Sequence, residues 1–209
     1  MPTRQNRGTL VVVKKGMEQL APRKKDTELT KEAIMNAARE LFVIKGYEHV
    51  SMREIAKELH CTHGALYYHF QNKAELFYKI VQTDFQFLDG LLEKVLQASY
   101  SSKEEAVKTI LLKFIEFGLT YKSHYKLMFL TQNLELDMLM EQEPNKSYER
   151  FAQAIFQFAP DKANPTVIWC LFLAVSGFVT KYVQTDAEYK DMEGLAEQYV
   201  AFLIKGFLS

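Results

Sequence analysis

Thr62, His63, Gly64 and Ala65, followed by Tyr67, Tyr68 and His69, place slim side chains and then hydroxyl and imidazole tips along one short segment. Slim residues let a helix approach a groove floor closely. The tips can hydrogen-bond to phosphates, or lay a ring against a thymine methyl. Lys73 opens the next segment, where its ammonium and the backbone N–H groups of a helix start could share one phosphate. This chemistry suits a helix-turn-helix, whose first helix braces on the DNA backbone while the front of the second reads base edges. Zinc is the rival reading of His60, Cys61, His63 and His69. His60 and His63 would span the turn, however, and no second ligand pair follows at finger-like spacing, so no metal is expected. No Gly-rich phosphate loop, paired-Cys site or G-x-S-x-G nucleophile motif is present, so neither a cofactor nor an enzyme is expected.

Helices must carry these residues. Thr30 is a suitable N-cap for a first helix, with Ile34, Ala37, Ala38, Leu41 and Phe42 at helical spacing and Gly46 as its stop. Ser51 with Glu54 forms a capping box for a second helix, and Thr62 caps a third with Leu66 and Phe70 inward. One ring of the Tyr67–Tyr68 pair is expected to lean on Ile55 or the first helix while the other is exposed. Asn72 with Glu75 opens a long helix running to about Val95, and Ser102 with Glu105 opens another. After a break at 121–123 come apolar segments at 124–136, 147–158, 165–185 and 191–207, with a loop at 141–145. Asn164-Pro165 is an N1 proline behind a capping residue. No alternating strand pattern exceeds the ambiguous run at 10–13, so the fold class is all-α.

The 209 residues are 48% hydrophobic and 25% charged, a globular composition rich in Phe and Tyr. The 26 basic and 26 acidic side chains cancel. A nonspecific coat for nucleic acid carries a basic excess, so any DNA contact must be a localised surface. Cys61 and Cys170 suggest no disulfide framework and fit a reducing cytoplasm. The run at 10–13 is too short for a signal peptide. The apolar run at 167–179 falls short of the ~20 residues that span a bilayer, so a buried helix and no membrane partner are expected. Residues 1–26 scatter Arg4, Arg7, Lys14, Lys15, Arg23, Lys24 and Lys25, which fits either a basic arm on DNA or a solvated tail. Met17 offers an alternative start.

The tract resembles the DNA-binding domain of the tetracycline-repressor (TetR) family of bacterial transcriptional regulators. The resemblance rests on Ala37, Ala38, Leu41 and Phe42, on Gly46-Tyr47 and Ser51-Met52, and on Ile55-Ala56 and Gly64. It continues through Leu66-Tyr67-Tyr68-His69-Phe70, Asn72-Lys73 and Leu76, covering about a quarter of the chain. It implies that Thr62, His63, Gly64, Ala65, Tyr67, Tyr68 and His69 face DNA and that Lys73 holds a phosphate. Thr30, Ser51 and Met52 would lie at the sugar–phosphate backbone. Cys61 and His63 occupy positions that vary widely in the family. The rest of the chain then corresponds to the family's regulatory domain. Residues 121–129 and 169–177 resemble one subtype, with Ser176-Gly177 where that subtype has His-Gly.

The expected organisation is a basic extension at 1–26, a three-helix DNA-binding domain at 27–88 with its helix-turn-helix at 51–70, and a larger helical bundle at 89–209 for ligand and dimerisation. The resemblance implies that the last two long helices pair with a second subunit, and their length and apolar faces suit that role. Phe114, Phe117, Tyr121, His124, Met128, Phe129, Phe151, Phe172 and Phe178 are candidates to line a cavity for an aromatic or acyl-like effector. The function read from these features is a homodimeric repressor released from a palindromic operator by a small apolar or aromatic effector. The alternatives are a DNA-binding regulator without a ligand, or a helical enzyme acting on the small molecule.

Overall fold

A computed structural model of the chain describes residues 29–131 and 142–208. The basic extension, the ambiguous run at 10–13 and part of the expected 124–136 segment lie outside them. All regular elements among the described residues are helical. They are α1 (Lys31–Lys45), α2 (Met52–Glu58), α3 (His63–His69), α4 (Lys73–Leu96), α5 (Lys103–Thr120), α6 (Lys122–Tyr125), α7 (Gln142–Phe158), α8 (Pro165–Tyr182) and α9 (Tyr189–Leu208). A 3-10 turn at Tyr47–His49 follows α1, and a π-helical turn at Lys126–Leu130 continues α6.

Local chemistry sets the helix starts. The Oγ atoms of Thr30, Ser51, Thr62 and Ser102 and the Oδ1 atoms of Asn72 and Asn164 each accept from a backbone N–H three residues on. Each such cap satisfies one of a helix's first four orphan donors and is worth about 1 kcal/mol. Ser51 and Glu54 form the reciprocal box. At the starts of α4 and α5 the carboxylate instead reaches one residue further back, Glu75 to the Gln71 N–H and Glu105 to the Ser101 N–H. The expected loop at 141–145 is helix from Gln142 onward. Proline punctuates a helix only beyond its first turn, and Pro144 stands within that turn, where its missing N–H has no partner to lose.

The bend between α2 and α3 has an unusual occupant. The Cys61 N–H donates to the Ala56 carbonyl (3.0 Å) and the His60 N–H to that of Lys57 (3.1 Å), the paired bonds of a Schellman end. The residue after the cap in that motif is left-handed, normally glycine, and here it is His60 with φ +52°. A side chain in this conformation costs about 1–2 kcal/mol, and glycine gives back part of that relief as unfolded-state entropy. His60→Gly should therefore stabilise the fold by roughly 1 kcal/mol in denaturant titration. A loss of stability would refute this reading of the turn.

α4 runs along one continuous core from the small domain into the larger bundle. Near its start Phe77 meets Phe42 and Tyr47 edge-on, at centroid distances of 5.4 and 5.1 Å. Further along, Phe85 meets Phe129 at 5.5 Å. The helix runs unbroken through residue 88, so the two halves of the molecule share a rigid rod of about 36 Å. In the larger half α5 is central, packing on α4, α7, α8 and α9. Gly118 makes one of these crossings possible, because a Cβ there would sit 2.3 Å from a methyl of Val179. α8 departs from the expected buried helix: only 28% of it is buried, although its length and composition would suffice to cross a membrane. Trp169, Cys170, Leu173 and Gly177 form an exposed row on it, and Leu195, Ala201 and Phe202 are exposed on neighbouring α9.

Candidate nucleic-acid interface and effector cavity

Leu66 and Phe70 are buried and fix the inner face of α3 against the rest of the small domain. The opposite face therefore presents Thr62, His63, Gly64, Tyr67 and Tyr68 to solvent, with Ala65 and His69 half-buried. Gly64 has open space where a Cβ would stand, so its role is a slim surface and not a tight contact. Tyr68 is 85% exposed and Tyr67 43%. The Tyr67 ring stands edge-on to that of His63 at 4.6 Å, so these two neighbours on one helical face orient each other. The Thr62 hydroxyl accepts from the Ala65 N–H at 3.2 Å.

The flanking residues divide. Thr30 and Ser51 are exposed at helix starts. Met52 is not a surface side chain: it is buried at 6% exposure, leaving only its backbone at the helix start for an outside partner. Its thioether fills the small core because the position falls on the inner stripe with Ile55 and Ala56. The Lys73 ammonium donates to the Tyr47 carbonyl at 2.8 Å and lies 4.1 Å from the centroid of that ring. An ammonium has three N–H donors, so this bond ties the start of α4 to the turn after α1 without using its full capacity.

The nine aromatic and sulfur-bearing candidates of the larger domain do not converge. Phe114, Phe129, Phe151 and Phe172 line a cavity together with Tyr148 and residues of α4. Phe117, Tyr121 and His124 instead gather on Phe87, at 5.9, 4.8 and 6.0 Å. Phe178 packs on Tyr182 and Tyr199. Met128 is core and lines no part of the cavity. Helical spacing marks which residues face inward, whereas the crossing of helices decides which inward residues meet. The cavity, partly open to solvent, has a volume of about 30 Å³, room for about two water molecules.

Two charged clusters were not among the expected site residues. The Arg39 guanidinium of α1 donates to both carboxylate oxygens of Asp84 on α4, at 3.0 and 2.6 Å, and to Asn36 at 2.6 Å. Both members are buried. Burial pushes the Asp84 carboxyl above its ordinary range, against the pull of the guanidinium. His124 Nε2 of α6 lies 3.8 Å from the same carboxylate. Desolvation holds that imidazole below its usual pKa despite the nearby charge. The second cluster joins Asp89 of α4 to α7: the Ser147 hydroxyl donates to it at 3.0 Å and the Arg150 guanidinium donates to its other oxygen. A sequence signal existed for Asp84, which falls four residues after Ile80 and four before Leu88 on an otherwise apolar face.

These features have relatives. A family model described as "Bacterial regulatory proteins, tetR family" matches residues 34–80, from within α1 into α4, the stretch that builds the exposed face of α3. The N-terminal helices thus match the tetR family model, and the chain is similar to TetR/AcrR-type regulators over most of its length. An HTH-type transcriptional regulator of Staphylococcus aureus is 33% identical over 102 residues, covering 48% of this chain and 54% of that protein. The chain thus spans about half the length of that relative. AcrR of Shigella flexneri is 26% identical over 200 residues, 88% of this chain and 92% of that protein. Among solved structures, the transcriptional regulator FadR of Bacillus subtilis, in complex with stearoyl-CoA, superposes with a TM-score of 0.70 at 18% identity, covering 85% of this chain and 99% of that one. A TetR/AcrR-family regulator of Thermobifida fusca gives 0.64 at 19% identity, over 85% and 97%.

Proposed function

We propose that the chain is a DNA-binding transcriptional regulator, a homodimer that represses from a palindromic operator and is released by a small apolar effector. The carrying observation is the outer face of α3, where Thr62, His63, Gly64, Tyr67 and Tyr68 lie exposed on a helix anchored from behind by Leu66 and Phe70. Side chains of this kind serve a partner's groove, since they contribute nothing to the core behind them. The Lys73 ammonium and the backbone N–H groups opening α4 would clamp a phosphate at the margin. Thr30 and Ser51 would touch the sugar–phosphate backbone. The exposed row of α8 and the apolar face of α9 would pair with a second copy, setting the spacing of the two reading helices. The cavity between α4, α5, α7 and α8 would take the effector, as FadR takes an acyl-CoA. The cavity lies along α4, whose first turns bear Lys73, so an effector that binds one pose of α4 more tightly would shift the reading heads.

Selection of bound DNA from a random pool tests this reading: it should return two-fold symmetric sites, and recovery of asymmetric sequences alone would overturn it. On the selected site Lys73→Ala should weaken all sequences alike and lower the salt slope by about 1, whereas His63→Ala should change base preference at particular positions. An unchanged salt slope would remove Lys73 from the phosphate contacts. A second reading, a regulator that needs no ligand, is favoured by the small cavity volume of about 30 Å³.

A further inference from the structure

The cavity wall is aromatic, but it is not electrically neutral. Rings of Phe114, Phe129, Tyr148, Phe151 and Phe172 surround the space, most meeting edge to face at about 5.4–6.4 Å. Aromatic faces carry negative potential and attract cations. The acid on this wall among the described residues is Asp89, whose side chain is only 12% exposed. Asp89 also lines the open groove between α4 and α7, so its carboxylate stands between the interior and solvent. Its counter-charge comes from the outer side, where Arg150 is 57% exposed. The cation on the wall, Lys113, is itself half exposed and held by Glu116 at 2.5 Å. The wall therefore combines five aromatic rings with one mostly buried carboxylate, which is held by the Ser147 hydroxyl and by an Arg150 that is itself more than half exposed.

Resting on the reading of this cavity as the effector site, we infer that the effector is an organic cation with an apolar body, its charged head against Asp89 and its body among the rings. The head would displace the Arg150 guanidinium from Asp89, and that side chain, 57% exposed, would turn out into solvent. Burial pushes the Asp89 carboxyl up, the cost that an entering cation offsets. A carboxylate-headed ligand would set two like charges together in an apolar site. To admit the body, the rings must part, because the cavity holds only about 30 Å³.

Three probes of equal tail and different charge provide the test: dodecyltrimethylammonium, dodecanol and dodecanoate, each below its micelle concentration. Trp169, the one tryptophan of the chain, stacks on Phe172 at 5.6 Å, so its emission reports occupancy. The cation should bind at least about tenfold more tightly than the other two, and should release selected DNA. Asp89→Asn should abolish that preference while leaving dodecanol affinity within about threefold, and Arg150→Gln should strengthen cation binding by removing its competitor. Should Asp89→Asn fail to fold, the ranking of probes on the unaltered protein and the Arg150→Gln shift decide. Equal or tighter binding of dodecanoate or dodecanol overturns the inference and leaves the effector site standing. No response to any probe, with DNA binding intact, overturns both.

Discussion

Arg39→Met should destabilise the protein by about 3–5 kcal/mol, because it strands the buried Asp84 carboxylate without its bidentate partner. For a chain of 209 residues that is a fall in Tm of roughly 6–20 °C. Asp84 is almost wholly buried, and His124 at 3.8 Å is a poor substitute because desolvation disfavours the charged form of its ring. The double variant Arg39→Met/Asp84→Leu removes the stranded charge as well and should recover most of the loss. Buried ion pairs cost much to desolvate, and apolar replacements of similar size often match them. Thermal unfolding of the three proteins gives the comparison. A single variant within about 1 kcal/mol of the parent would show that Asp84 is hydrated or protonated and that the pair holds little. The pair also joins α1 of the small domain to α4, so the double variant should fold while fixing the pose of α1 less firmly.

Leu173→Asp combined with Phe202→Asp should leave a folded monomer that binds the selected operator at least about a hundredfold more weakly, since each half-site is then bound without the linked second one. Leu173 is 50% exposed and Phe202 74% exposed in a single copy, so the changes remove little from the protomer's own core. Substitutions at such positions typically change stability by about 0.5 kcal/mol or less. Across the proposed two-fold axis each new carboxylate would face apolar surface or its own copy, which a dimer interface cannot absorb. Sedimentation gives the mass, and titration on full and half operators gives the affinity. A double variant that remains dimeric would move the dimer interface off these helices.

The parts legible in the sequence were those that a few neighbouring residues decide. Thr30, Ser51, Thr62, Asn72, Ser102 and Asn164 announce helix starts because a cap needs only a side chain and an N–H three residues away. Leu66 and Phe70 mark the inner face of α3 by spacing alone, and that leaves its outer face readable. The cavity was not legible in this way. Phe114 and Phe117 lie within one turn of the same helix, yet the first lines the cavity and the second meets Phe87, because α5 is surrounded and each side meets a different neighbour. Asp89 was hidden for the same reason: nothing local distinguishes it from a solvated acid until α7 brings Ser147 and Arg150 against it. The expected loop at 141–145 was missed as the start of α7.

The missing side chain at Gly118 settles which parts can travel. With a methyl of Val179 where a Cβ would go, and the Tyr125 ring 3.1 Å from the same point, α5 and α8 are seated backbone to side chain with no cushion between them. Such a joint resists sliding, because any shift along either axis drives the stiff valine into the next turn. Tyr125 adds a second fastening, its hydroxyl bonded to the Ser176 carbonyl at 3.1 Å and paired with Thr180 at 3.2 Å. α5, α8 and the end of α6 thus form a fixed chassis. Rearrangement falls to the parts hung from it: α4 and α7, which meet the cavity from the far side, and the small domain that α4 carries.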